Sequence, residues 1–179
     1  RMRNTFFAIL TLITFQSFAF ASTSTNLTMA SDSAGNTVAV WEFVSDTYDS
    51  SIEAAFLPAG SSTWSSSVTV AGPVINPKFP KVSINDSGNI VLIWTEIDSF
   101  WGLNVLFGST ATFGGSWSTP TQISTTDENV STSNYNAKIT ATDDIVLTWT
   151  SFDNINFDIN ARSATSSFGS WGTPVTISP

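Results

Sequence analysis

The sequence predicts an all-β fold, a β-propeller of four-stranded antiparallel blades. Two observations carry this prediction. Two interleaved series of tryptophans recur with one period, and each period contains four short runs of β-type residues. A period of about fifty residues is typical of propeller blades. Three units are present, and a propeller closes with about four to eight blades, so we expect an open or partial ring.

The first tryptophan series ends three similar stretches, GNTVAVW, GNIVLIW and DDIVLTW, whose tryptophans lie 53 and 55 residues apart. The second series is spaced by 53 and 54 residues. We interpret both series as anchors of the repeat that pack between blades, because a repeat unit buries its apolar faces against its neighbours. The six anchors are Trp41, Trp94, Trp149, Trp64, Trp117 and Trp171.

The N-terminal segment 1–21 is predicted to be a secretory signal-peptide helix. Arg1 and Arg3 precede an apolar stretch from Phe6 to Phe20, and an A-x-A pattern ends at Ala21. The alternative is a membrane anchor, but the apolar run is shorter than the ~20 residues that a spanning helix needs. We therefore expect a secreted, periplasmic or cell-surface protein with no membrane span after cleavage.

The remaining chain, 22–179, is predicted to form a partial propeller with blade boundaries at about 27–76, 77–130 and 131–179. In the second unit we expect strands at 81–84, 90–94, 105–109 and 117–123. A turn rich in residues that tolerate positive φ separates the first two strands. The continuous apolar run of the second strand is typical of a strand covered on both faces.

Composition excludes several classes of function. Loss of segment 1–21 would remove Arg1 and Arg3 and would lower the net charge from −8 to −10, which disfavours nucleic acid as a partner. The chain has no Cys and no His, so disulfides, Ser-His-Asp sites and His- or thiolate-bound metals are excluded. Nothing singles out a carboxylate pair for glycoside hydrolysis. We expect no enzyme activity and no cofactor.

The repeats resemble those of bacterial exported β-propeller proteins, with a D-x-x-G-N-x4-W half and a G-x-W-x-x-P-x-x-I-S half. The first half matches at Gly88, Asn89 and Trp94, and the second at Trp117 and Pro120. The third unit departs from it, with Asp143-Asp144 in place of Gly-Asn. The resemblance extends distantly to sialidase-like propellers, although the Asp-box of those proteins matches loosely. It implies a propeller fold and does not imply an activity.

The loops between the second and third strands hold the candidate ligand-binding residues. An aromatic side chain beside a carboxylate is typical of sugar recognition, because ring faces stack on sugars and acids accept hydroxyl protons. A weaker alternative is a calcium site at Asp46 with Asp49 or at Asp153 with Asp158. A third interpretation is that these are solvated loops. The candidates are Tyr48, Trp101, Phe157, Asp49, Asp98 and Asp158.

The predicted function is an exported, non-catalytic module that binds a ligand, a glycan or a protein. The alternatives are a structural scaffold, or a fragment of a glycan-active propeller enzyme whose catalytic residues lie in missing blades. Three blades leave apolar faces at both ends. We therefore expect either further C-terminal blades or a homo-oligomer, such as a six-bladed ring formed by two copies.

Overall fold

The computed structural model describes residues 22–72, 76–153, 155–164 and 171–178, and the predicted signal peptide lies outside this part of the chain. Within it the protein is all-β, with three four-stranded antiparallel sheets. The strands are β1 Thr23–Ser31, β2 Thr37–Val44, β3 Ser50–Leu57, β4 Val68–Ala71, β5 Lys78–Ile84, β6 Asn89–Ile97, β7 Asn104–Thr112, β8 Thr121–Gln122, β9 Asn129–Ile139, β10 Ile145–Phe152, β11 Phe157–Ala164 and β12 Val175–Thr176.

Each sheet is a simple meander in which strands adjacent in sequence pair with each other. We call β1–β4 blade 1, β5–β8 blade 2 and β9–β12 blade 3. The first strands lie side by side, β1 against β5 and β5 against β9, so they form the inner wall of the array. This arrangement confirms the predicted propeller architecture with four-stranded antiparallel blades.

The strands of blade 2 differ from the prediction at its two edges. The inner strand starts earlier, at Lys78, and the outer strand is reduced to Thr121–Gln122. Trp117 was expected in that outer strand and lies before it. Its ring instead stacks on Phe56 of blade 1, with 6.4 Å between ring centroids. Pro120, which has no N–H to donate, follows in the same extended run.

Two apolar clusters hold the three blades together, one at each junction. At the first junction, Trp94 is fully buried against Val38, Val40 and Ile52 of blade 1. At the second, Trp149 is 1% exposed and packs in a cluster with Val91 of blade 2. The sheets therefore share their hydrophobic core in pairs.

Both buried indoles have their N–H group satisfied by a carboxylate. Trp94 Nε1 donates to Glu96 Oε1 at 2.7 Å, and Trp149 Nε1 donates to Glu128 Oε2 at 2.8 Å. Burial raises the pKa of Glu96, and the bond from Trp94 lowers it in part. An indole can be buried at this depth because its one polar group has a partner.

Four of the six anchors depart from the full burial that the repeat predicts. Trp64 is 43% exposed, and Trp41, Trp117 and Trp171 are half-buried. The tryptophans of blades 2 and 3 pack toward the preceding blade. For example, Trp94 and Trp117 of blade 2 pack against blade 1. Among the described residues no blade precedes blade 1, so its two tryptophans have no sheet to pack against.

The turns between first and second strands link neighbouring blades. Gly35, Gly88 and Asp143 occupy the same turn position, and all three have left-handed backbone, with φ of 93°, 78° and 66°. That conformation is unusual for a residue with a side chain. The carboxylate of Asp143 accepts hydrogen bonds from the side-chain amides of Asn85 at 2.6 Å and Asn89 at 2.8 Å. Asp143, which stands where the repeat has Gly, thus links blade 3 to blade 2 by hydrogen bonds.

We expect Trp94→Ala to lower the free energy of unfolding by about 3–5 kcal/mol, because it leaves a cavity at the first junction. Urea unfolding followed by circular dichroism measures this loss. The matched control is Trp101→Ala, which removes the same side chain from a position that is 66% exposed and should change stability by no more than about 0.5 kcal/mol. Equal losses in the two variants would contradict burial between blades.

We also expect stability to fall as the pH falls below about 4. Hydrogen bonds from Asn89 and Asn85 hold the pKa of Asp143 below its ordinary value of 3.8, and the pKa of Asp32 and Asp86 is lowered in the same way. A carboxylate with a lowered pKa stabilises the fold above its unfolded pKa, and protonation removes that contribution. Glu96, with its raised pKa, acts in the opposite direction.

Thermal unfolding between about pH 5 and about pH 3 measures this dependence. Asp143→Asn keeps an acceptor oxygen in a residue that tolerates left-handed backbone, and it should flatten the curve. Asp144→Asn removes one charge from the same turn and leaves the bonds of Asp143 to Asn85 and Asn89 in place, so it is the charge-matched control. Identical slopes in all three proteins would contradict the assignment.

Candidate functional site

The candidate loops lie together at one end of the sheets. Each blade is an antiparallel meander, so its second-to-third-strand loop and its linker to the next blade emerge at the same end. We call this the loop end. The loops run over 45–49 in blade 1, 98–103 in blade 2 and 153–156 in blade 3.

The three loops begin with the same local device, a side-chain oxygen that accepts two backbone N–H groups. In blade 2, Asp98 Oδ1 accepts the N–H groups of Phe100 at 3.0 Å and Trp101 at 2.7 Å. Ser45 does this in blade 1 and Asp153 in blade 3. The pKa of Asp153 is lowered by these backbone bonds. These contacts fix the backbone of the blade 1 and blade 2 loops, and in blade 3 they hold Ile155 and Asn156.

The aromatic candidates are strongly exposed. Tyr48 and Trp101 are each 66% exposed, and Phe157, the first residue of β11, is 74% exposed. Trp101 packs edge-on against its neighbour Phe100, with ring centroids 4.7 Å apart, and does not fold back over the sheet. The ring centroids of Phe157 and Phe152 lie 4.9 Å apart. These rings stand in successive blades at one end, and their role in binding stays a prediction.

Asp98 and Asp49 have structural roles in their own loops, whereas Asp158 lies in β11 and not in the loop where it was expected. Asp98 caps the blade 2 loop, as described. Asp49 accepts the hydroxyl of Thr47 at 2.6 Å, and Asp158 accepts that of Ser178 at 3.5 Å. Each carboxylate retains an oxygen beyond these bonds, since a carboxylate offers about four acceptor sites. These acids can accept ligand hydroxyls while they hold the loops.

A further feature, which the sequence reasoning missed, lies on the inner strands. The register of each first strand is interrupted near its start, between Thr25 and Thr28 in β1 and between Lys78 and Lys81 in β5. Asn26 and Phe79 are left-handed there, with φ of 52° and 56°. Strand β9 is interrupted at 131–134. Pro80 inside a strand was the available signal, because proline within a sheet marks an edge or a bulge.

These bulges meet at a cavity of about 300 Å³, which we call the inner cavity. It is lined by polar and apolar groups from the inner strands of all three blades. In each blade the bulge lies in the half of the strand nearer the loop end, as the pairing of Thr25 with Glu42 shows. The lining residues are Asn26, Leu27, Thr28, Phe79, Pro80, Lys81, Thr132 and Ser133.

Buried polar side chains hold the bulges in place. The carboxylate of Glu42, 5% exposed, accepts a hydrogen bond from Asn26 Nδ2 at 2.7 Å. The hydroxyl of Tyr135 in blade 3 donates to the carbonyl of Phe79 in blade 2. Burial raises the pKa of Tyr135, so this hydroxyl stays protonated and keeps donating. Left-handed backbone persists where its surroundings fix it in this way.

Metal and anion chemistry find little support among the described residues. No group of three or more acidic side chains there could hold a metal ion. The guanidinium of Arg162 is engaged inside the protein. It donates to the carbonyls of Ile123 at 2.5 Å and Gly172 at 2.7 Å, and it lies 5.8 Å from the ring of Trp171.

Comparisons with known proteins support the fold. No family model and no curated protein matches the chain. A solved structure, the Hadza microbial sialidase Hz136, superposes with a TM-score of 0.60 at 10% sequence identity. The match covers 83% of this chain and 36% of that one, so the chain spans about a third of its length. The chain is thus distantly similar to part of a sialidase-type propeller, and at this identity the similarity concerns the fold. Across the described residues, no helix is long and apolar enough to cross a membrane.

We expect Tyr135→Phe to lower the free energy of unfolding by about 1–3 kcal/mol, because the buried carbonyl of Phe79 loses its donor. Urea unfolding measures the loss. The control is Ser133→Ala in the β9 bulge, an exposed position where a change of about 0.5 kcal/mol or less is expected. If Tyr135→Phe is as stable as the control variant, this bond does not hold the bulge.

Proposed function

We propose that the protein is an exported, non-catalytic β-propeller module that binds its ligand at the loop end. The observation that carries this proposal is the exposure of Tyr48 and Trp101 in the loops of blades 1 and 2 and of Phe157 at the start of β11, directly after the corresponding loop of blade 3. Large aromatic side chains at exposed loop tips contribute little to folding. They are well suited to contact a ligand, because flat rings provide apolar area at a small cost in conformational entropy.

The chemistry of these loops favours a neutral glycan or a partner protein. Aromatic faces stack on the C–H faces of sugars, and Asp49, Asp98 and Asp158 can accept protons from hydroxyl groups. The chain carries a net charge of −8, which repels anionic ligands at this end. The inner cavity lies toward the same end and offers further hydroxyl and amide groups to a ligand that reaches it.

Two features support a binding role over catalysis by this chain. The guanidinium of Arg162 is committed to carbonyls and to Trp171, so it is poorly placed to bind the carboxylate of a substrate. The acids of the loops are occupied as caps and acceptors, and no pair of them stands out as an acid and a base. The predicted signal segment supports an extracytoplasmic location for such a module.

A second candidate function rests on the structural similarity. The chain resembles about a third of a sialidase, so it could be the propeller fragment of a glycan-active enzyme whose catalytic residues lie in other blades. The two candidates differ in turnover. Release of product from fluorogenic aryl glycosides by a longer protein that includes those blades would favour the enzyme, and ligand binding by such a protein without turnover would favour the module.

The test begins with an array of neutral oligosaccharides, followed by calorimetry of the strongest hit. We expect Trp101→Ala to weaken binding about tenfold or more, while the melting temperature stays that of the wild type. The control is Ile155→Ala, an apolar side chain that is 81% exposed in the corresponding loop of blade 3 and offers no ring to stack. Unchanged affinity in Trp101→Ala, or no binding to any glycan or protein, would leave the scaffold interpretation.

A further inference from the structure

The two ends of the blade array expose positions that are buried inside it. The first-series tryptophan is 0% exposed in blade 2 and 1% exposed in blade 3, where the preceding blade covers Trp94 and Trp149. The corresponding Trp41 of blade 1 is half-buried. It lines a groove of about 340 Å³ with Phe43 and Glu53. The same residue type at the same place in the sheet thus lacks its cover in blade 1.

The opposite face shows the same contrast in reverse. The valine three residues before each of these tryptophans faces the following blade. Val38 and Val91 are 0% exposed, whereas Val146 of blade 3 is 44% exposed. Further apolar side chains of blade 3 are exposed nearby, with Ile159 at 46% and Val175 at 58%. The described part of the chain therefore ends in a tryptophan face on blade 1 and a valine face on blade 3.

At each internal junction, a valine face of one blade packs against a tryptophan face of the next. At the first junction, Val38 packs in one cluster with Trp94, and at the second, Val91 packs in one cluster with Trp149. A contact between the valine face of blade 3 and the tryptophan face of blade 1 would continue the same interface. Three blades are fewer than the about four that a closed ring needs, so the two exposed faces of one copy cannot meet each other, and a second copy offers both.

The geometry points to a head-to-tail dimer, in which the tryptophan face of each copy docks on the valine face of the other and two copies close a six-bladed ring. Six blades lie within the range of about four to eight found in closed propellers. Both free faces are covered at once, and the contact is heterologous but closes on itself, so growth stops at two copies. This inference is independent of the proposed ligand binding.

Light scattering coupled to size-exclusion chromatography tests the proposal. We expect a species of about twice the mass of the chain that is loaded, which is 19.2 kDa when segment 1–21 is included. Trp41→Glu and Val146→Glu each place a charge in one of the two faces, and each should convert the dimer to a monomer while the β-sheet circular dichroism is kept. Trp101→Glu adds the same charge at the loop end and should leave the dimer intact. A monomeric wild type, or open aggregates of many copies, would overturn the ring.

Mixing the two variants tests the head-to-tail arrangement. Trp41→Glu keeps its valine face and Val146→Glu keeps its tryptophan face, so an equimolar mixture retains one intact junction and should regain dimer. A symmetric contact between two tryptophan faces predicts a different result, because Val146→Glu alone would then remain dimeric. That result, or a mixture that stays monomeric, would overturn the proposal. If a longer chain supplies further blades that cover these two faces, that longer chain is monomeric, and this result also overturns the dimer.

Discussion

The packing of one sheet against the next determines this structure. A four-stranded blade of this size has apolar side chains on both faces and cannot cover either of them alone. Trp94 and Trp149 are buried because a neighbouring sheet supplies the opposite wall, and their N–H groups are satisfied by Glu96 and Glu128. The inner strands, the turns and the loops take their positions from these two junctions, and so does the exposure of Trp41 and Val146 at the ends.

The sequence was sufficient to predict this architecture because the junctions leave a periodic record. Two tryptophans per blade, an apolar second strand and a turn before it recur at a nearly constant spacing, and this pattern predicts four-stranded blades. The spacing of the repeat does not indicate whether a neighbouring blade covers a given position. Trp64 repeats the pattern of Trp117 but is 43% exposed, because its partner blade is absent from the described residues. The exposure of a repeat position depends on its place in the array, which the letters of one unit do not encode.

The candidate site was predictable in part, for a similar reason. Aromatic residues at corresponding places in the blades could be found from spacing, and Trp101 in its loop and Phe157 at the start of β11 are exposed. The inner cavity could not, because it depends on contacts between residues far apart in sequence. The bulge at Phe79 is held by Tyr135, which lies 56 residues further along the chain. Asp143 is a comparable case. It differs from the Gly of the repeat, and its structural role, to accept hydrogen bonds from Asn85 and Asn89 of blade 2, is visible only in the structure.

Several carboxylates of this chain have structural roles as hydrogen-bond acceptors. Glu96 and Glu128 accept from buried indoles, Glu42 accepts from a strand bulge, and Asp98 caps a loop. In a chain with 14 acidic and six basic residues, these carboxylates bond mainly to neutral N–H and O–H donors, and the bonds link groups that the repeat alone would not bring together. The same chemistry that fixes the junctions therefore fixes the bulges of the inner strands and the start of the loops.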